Sequence, residues 1–75
     1  MNKFRVDRVN TRAVPAGKNS ILYIGDDVAK ARKLYDNTVP GVDTWNRPDP
    51  SYGVVFSRWD ARTFQYEVIK AKGLS

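Results

Sequence analysis

The stretch SILYIGDDVAKARKLY, residues 20–35, changes from a strand pattern to a helix pattern at Gly25. Residues 20–24 are a short run of β-branched and aromatic side chains, which predicts a strand. Asp26 follows as the expected N-cap of a helix, because its carboxylate can accept hydrogen bonds from the free amides of the first turn. Asp27 adds a second negative charge at the positive end of the helix dipole. The stretch therefore predicts a strand that leads directly into a helix.

The predicted helix has one apolar side and one basic side. Apolar residues recur at helical spacing, which places them on one face. This face consists of Val28, Ala31, Leu34 and Tyr35. Lys30 and Lys33 fall on the opposite face. We expect Asn37 to end the helix in the left-handed conformation, since Pro40 cannot continue it.

A strand pattern also precedes this stretch. Within residues 3–9, apolar and charged side chains alternate at Phe4, Arg5, Val6 and Asp7, which predicts a half-buried strand. Residues 10–19 contain Pro15 and Gly17 and are predicted to form a loop. The two N-terminal strands are therefore expected to form a hairpin.

A second hairpin is predicted after the helix. Residues 38–51 contain three prolines and a glycine and are predicted to form a long loop, with a short extended piece from Val42 to Trp45. Residues 52–59 and 64–72 have strand patterns, and residues 60–63 between them begin with Asp, which is favoured in turns. The chain therefore reads strand, strand, helix, strand, strand.

This order predicts a single α+β domain over residues 1–75, with a four-stranded, mainly antiparallel sheet and one helix packed on one face. The other face is left to water, to the long loop or to a partner. A chain of 75 residues without disulfides has a marginal core, so most large apolar residues should be buried or covered by a partner or a second copy. We therefore expect Phe56, Phe64 and Tyr66 in the core rather than stacking on nucleic-acid bases.

The composition excludes several classes of protein. The chain has no Cys and no His, which removes disulfides, zinc fingers, thiol nucleophiles and the commonest general base. We therefore expect no enzyme, no cofactor and no metal site. The longest apolar runs are far shorter than the ~20 residues of a membrane span, and the N-terminus lacks the apolar region of a secretory signal. We expect a cytoplasmic protein without membrane contact.

The positive charge is concentrated in the first half of the chain. The net charge is +5; residues 1–35 hold eight bases and three acids, whereas residues 36–75 hold five of each. Such a basic half can meet nucleic-acid phosphates or an acidic protein surface, or merely solvate an exposed face. The candidate contact residues are Arg5, Arg8, Arg12, Lys30, Arg32 and Lys33.

The long loop supplies a second set of candidates. Trp45, Arg47 and Tyr52 belong to the residue types that are enriched at protein-binding hot spots. The alternative is that Trp45 folds back over an edge of the sheet, because an amphipathic Trp serves both uses. The sequence leaves this choice open.

The strand Ile21–Asp27, the helix Val28–Tyr35 with Ala29 and Ala31, and the hairpin of Val54–Trp59 and Phe64–Ile69 together resemble small bacteriophage accessory proteins. The likeness lies in size, absence of Cys, basicity and element order. It implies a protein that binds and inhibits a host enzyme or a defence complex, or one that binds nucleic acid.

We therefore expect a non-catalytic protein that binds and modulates a host protein. One alternative is a nucleic-acid-binding protein that uses the basic N-terminal hairpin and helix. A second alternative is a structural homo-oligomer that pairs through an exposed strand edge.

Overall fold

Four strands and one helix follow one another in the predicted order ββαββ in a computed structural model of the chain. The structure describes residues 2–10, 19–43 and 45–73. Its elements are β1 (Phe4–Asn10), β2 (Asn19–Gly25), α1 (Val28–Asn37), β3 (Tyr52–Asp60) and β4 (Gln65–Lys72). Each predicted strand and the helix are found within a residue or two of their predicted bounds.

The sheet has the strand order β2-β1-β3-β4, and neighbouring strands are antiparallel throughout. Strands β2 and β3 are both antiparallel to β1, so they run parallel to each other on either side of it. Their connection must therefore cross one face of the sheet, and α1 lies within that connection. The topology explains why the single helix packs on one face, as predicted.

The core lies between α1 and the two central strands. It consists of Val6, Ala31, Tyr35, Val54 and Phe56, with Phe4, Leu22 and Tyr23 packed against it. The ring of Phe56 makes an edge contact with Phe4 at 6.1 Å between centroids and a tilted contact with Tyr35 at 5.9 Å. Ala31 has no exposed surface. Its small side chain lets the helix pack closely against the sheet at this point.

The N-cap of α1 is Asp27, so the prediction of Asp26 is wrong. The Asp27 carboxylate accepts a hydrogen bond from the Lys30 N–H at 3.1 Å. Asp26 instead accepts from the Lys3 N–H at 2.9 Å, which ties the start of β1 to the end of β2. Val28 is 41% exposed and lies outside the core cluster, so it does not belong to the buried face of the helix.

The helix also ends differently from the prediction. Asn37 remains helical, and the C-cap is Thr38 with an extended backbone at φ −84°. The Thr38 N–H and hydroxyl both donate to the Leu34 carbonyl, at 3.0 and 2.7 Å. Lys72 of β4 donates to the Tyr35 carbonyl at 2.7 Å, a favourable place for a cation at a helix C-terminus.

Tyr66 is half-buried outside the core cluster, contrary to the prediction, and the same prediction is wrong for Phe64. Phe64 lies in the turn between β3 and β4 with a positive φ of 55°, and 75% of its surface is exposed. Strand β4 begins only at Gln65, because the turn covers residues 61–64 and so lies one residue later than predicted. Asp60 has its predicted role in the turn, since its carboxylate accepts from the Arg62 N–H at 2.9 Å. Phe64 instead makes an edge contact with Trp59 at 6.5 Å.

The sheet face opposite the helix is not covered by a helix among the described residues. Paired residues in a sheet point to the same side, and successive residues point to opposite sides. We call this side of the sheet the open face, and strand register and side-chain alternation show which residues point to it. They are Arg5, Asp7, Val9, Ile21, Ile24, Val55, Ser57, Trp59, Tyr66, Val68 and Ala71.

Gly73→Ala is expected to destabilise the protein more than Gly41→Ala. Both glycines have φ near +75 to +80°, which costs a residue with a side chain about 1–2 kcal/mol. A Cβ at Gly73 would also lie 2.5 Å from the Cβ of Pro40, whereas a Cβ at Gly41 would meet nothing within 4 Å. Urea unfolding of both variants checks this, and equal losses would contradict the close approach of Pro40.

Candidate binding surface

The loop between α1 and β3 contains a small closed turn. An isolated β-bridge joins Val42, the first residue of the predicted extended piece, to Pro48, and the Asp43 N–H donates to the Arg47 carbonyl at 2.9 Å. We call residues 42–48 the Trp45 loop; residue 44 lies outside the described part of the chain. The bridge brings the two ends of this loop together and projects Trp45 from its tip.

The carboxylate of Asp43 organises the Trp45 loop from inside. One oxygen, Oδ1, accepts from the N–H groups of Trp45 at 2.8 Å and Arg47 at 2.9 Å. The other, Oδ2, accepts from the Arg47 guanidinium at 3.1 Å. Asn46, in the left-handed region at φ 60°, donates its N–H to the Asp43 carbonyl at 3.0 Å. These contacts hold the backbone of Trp45, Asn46 and Arg47 against Asp43.

Asp43 was not among the candidate residues from the sequence. It is buried, and the N–H groups of Arg47 and Trp45 together with the Arg47 charge hold the pKa of its carboxyl below the usual value. The available signal was an Asp followed by polar turn residues, a pattern in which the carboxylate binds the backbone two residues on.

Trp45 is 77% exposed, so it does not fold back over the sheet. Arg47 is also exposed, beside it on the loop. Tyr52 is half-buried at the start of β3, where its carbonyl accepts from Gly41 at 2.9 Å. The structure therefore presents Trp45 and Arg47 together, and places Tyr52 at the base of the same connection.

Acidification is expected to release the Trp45 loop. Because the folded-state pKa of Asp43 is lowered, its stabilising contribution is complete above the ordinary carboxyl pKa and is lost as pH falls through the lowered value. The amide resonances of Trp45 and Arg47 should titrate together, with a midpoint below the ordinary pKa of an Asp carboxyl. The Asp43→Asn variant should lack this transition, and a midpoint at or above the ordinary value would contradict the assignment.

The predicted basic residues do not form one patch. Arg5 lies on the open face, whereas Arg8 follows the alternation to the helix side. There the Arg8 Nη1 donates to the Asp43 carbonyl at 3.3 Å, and its Nε is buried without a partner among the described residues. Lys30, Arg32 and Lys33 are exposed on α1, with the Lys30 ammonium 5.7 Å from the centre of the Tyr23 ring. Arg12 lies outside the described residues.

The open face contains a shallow groove of about 280 Å³. It is lined by Arg5, Asp7, Val9, Val55, Ser57, Tyr66 and Val68. The Arg5 Nε lies 2.8 Å from the nearer carboxylate oxygen of Asp7, which is buried. The Arg5 guanidinium also lies 5.5 Å from the centre of the Tyr66 ring. The groove thus combines the apolar side chains of three valines with the ion pair between Arg5 and Asp7.

Within the part of the chain that the structure describes, no three His, Cys, Asp or Glu side chains are placed to hold a metal ion together. No helix in that part is long and apolar enough to cross a membrane. Comparisons of the chain with family models, with curated proteins and with solved structures found no match.

Proposed function

We propose that this protein is a non-catalytic binding protein that contacts a partner protein through the Trp45 loop. The observation that supports this most strongly is an indole ring 77% exposed on a loop whose backbone is held by Asp43. Contact between a large aromatic ring and water is unfavourable, so burial of this ring against a partner would contribute favourably to the free energy of binding. A loop that is already ordered loses little conformational entropy on binding, which favours affinity.

The surroundings of Trp45 favour a protein over a nucleic acid as the partner. Nucleic-acid binding needs several free cations along one track, so that they neutralise successive phosphates. Arg47, the neighbouring cation, is paired with the Asp43 carboxylate, and Arg5 and Arg8 point to opposite sides of β1. Trp and Arg side by side are instead typical of a protein-binding hot spot. The net charge of +5 would speed the encounter with an acidic partner.

The resemblance to bacteriophage accessory proteins suggests where the partner is to be sought. Under the proposal the partner is a protein of a bacterial host, present in the host cytoplasm, and binding modulates its activity. The positive charge of the chain makes an acidic surface on that host protein the favoured contact.

Affinity capture from a nuclease-treated bacterial lysate tests the proposal. The wild-type chain should retain one host protein in stoichiometric amount, and Trp45→Ala should lose it. Phe64→Ala is the matched control, since Phe64 is an equally exposed aromatic residue on a different turn, and it should retain the partner. Retention by Trp45→Ala equal to wild type, or no stoichiometric protein with the wild-type chain, would overturn the proposal.

A further inference from the structure

Most charged side chains of the sheet lie on the same side as the helix. Register and alternation place Arg8, Arg58, Asp60, Glu67, Lys70 and Lys72 on the helix side. Strand β2 contains no charged residue. Among the described strand residues, the open face therefore holds only Arg5 and Asp7, which pair with each other. This face is electrically neutral in a protein whose net charge is +5.

The open face also exposes large apolar side chains. Val68 on β4 is 57% exposed, and Ile21 and Ile24 on β2 are about half exposed. They lie on the two outer strands, with the apolar walls of the groove between them. A domain of 75 residues has little stability to spare, so covering these side chains would contribute substantially to it.

We propose that two copies of the chain pack their open faces against each other as a symmetric β-sandwich. Like-charged copies repel each other, so self-association is least opposed where the net charge is zero. Two sheets packed face to face lie about 10 Å apart, with the apolar side chains of both filling the space. Asp7 is already buried within each copy, so dimerisation adds little to its desolvation.

The size of the open face sets how strong this dimer can be. Four strands of seven to nine residues, spaced ~4.8 Å apart and rising ~3.3 Å per residue, make a sheet of roughly 19 × 26 Å. A face of roughly 500 Å² per copy corresponds to an interface of less than ~1,200 Å² in total, so the dimer should be weak and concentration-dependent. The Trp45 loop is anchored through Arg8 on the other side of β1, so the dimer contact is separate from the proposed partner contact.

Sedimentation equilibrium over a wide range of protein concentration tests the dimer. The wild-type mass should rise from 8.5 kDa towards twice that value. Val68→Asp should weaken dimerisation by about 100-fold or more, because it places one unpaired carboxylate from each copy in an apolar interface. Val39→Asp is the matched control, since Val39 is similarly exposed at 63% but lies between α1 and β3, and it should dimerise like wild type.

Ile21→Lys provides a second test at the opposite edge of the open face, for use if Val68→Asp does not fold by circular dichroism. Ile21→Lys should likewise dimerise much more weakly than wild type. A wild-type mass of 8.5 kDa at every concentration would overturn the proposal. So would wild-type dimerisation by the folded Val68→Asp or Ile21→Lys variant, which would point instead to a dimer through strand edges. Equal losses in Val39→Asp and Val68→Asp would show a general charge effect and would also overturn it.

Discussion

Phe56→Ala is expected to lose about 3–5 kcal/mol of the free energy of unfolding, as is typical when a fully packed aromatic side chain is removed from a core. Phe56 is 3% exposed and contacts both Phe4 of β1 and Tyr35 of α1. A domain of this size has roughly 4–11 kcal/mol of stability in total. The variant should therefore be largely unfolded in low concentrations of urea where the wild type is folded.

Phe64→Ala provides the comparison, because the sequence pattern predicts a core position for both residues. Phe64 is 75% exposed in a turn, so its loss should change the free energy of unfolding by less than about 1 kcal/mol. Urea unfolding of the two variants, followed by circular dichroism, gives both values. If Phe64→Ala were as costly as Phe56→Ala, the placement of the β3–β4 turn would be wrong.

Ala31→Leu is expected to cost about 3 kcal/mol, at the upper end of the range for overpacking a core. Ala31 has no exposed surface, and it belongs to the cluster that includes Val6 and Val54 of the central strands. Three additional carbon atoms at this position have no space, so the helix must move away from the sheet. The midpoint of urea unfolding should fall accordingly.

Ala29→Leu is the control within the same helix. Ala29 is exposed, and Leu has nearly the helix propensity of Ala, so the change should be within a few tenths of a kcal/mol. Equal effects of the two substitutions would mean that α1 does not pack on the sheet through Ala31.

The element order was predictable because it depends on local periodicity. The apolar and charged pattern of β1 and the helical spacing of Ala31 and Tyr35 are properties of the chain itself, and the strand and the helix both form where they predict. The helix cap was not predictable in the same way. Asp26 and Asp27 are both suitable N-caps, and the choice depends on the Lys3 amide, which is distant in sequence and binds Asp26.

The candidate site was predictable in part. Residue type alone singled out Trp45 and Arg47, but it did not single out Asp43, whose carboxylate accepts from the backbone N–H groups of both. The basic set shows the opposite case. A sum of charges over residues 1–35 places Arg5 and Arg8 in one group. Side chains alternate between the two faces of a strand, however, so these two residues point to opposite faces.

The affinity of the captured host protein for purified wild-type and variant chains is the decisive measurement, by titration calorimetry. A central hot-spot residue is worth about 2 kcal/mol or more, so Trp45→Ala should raise Kd by about 30-fold or more. Asp43→Ala should also weaken binding, because it releases the loop, whereas Phe64→Ala should leave Kd unchanged. If Trp45→Ala bound with wild-type affinity, the Trp45 loop would not be the binding surface.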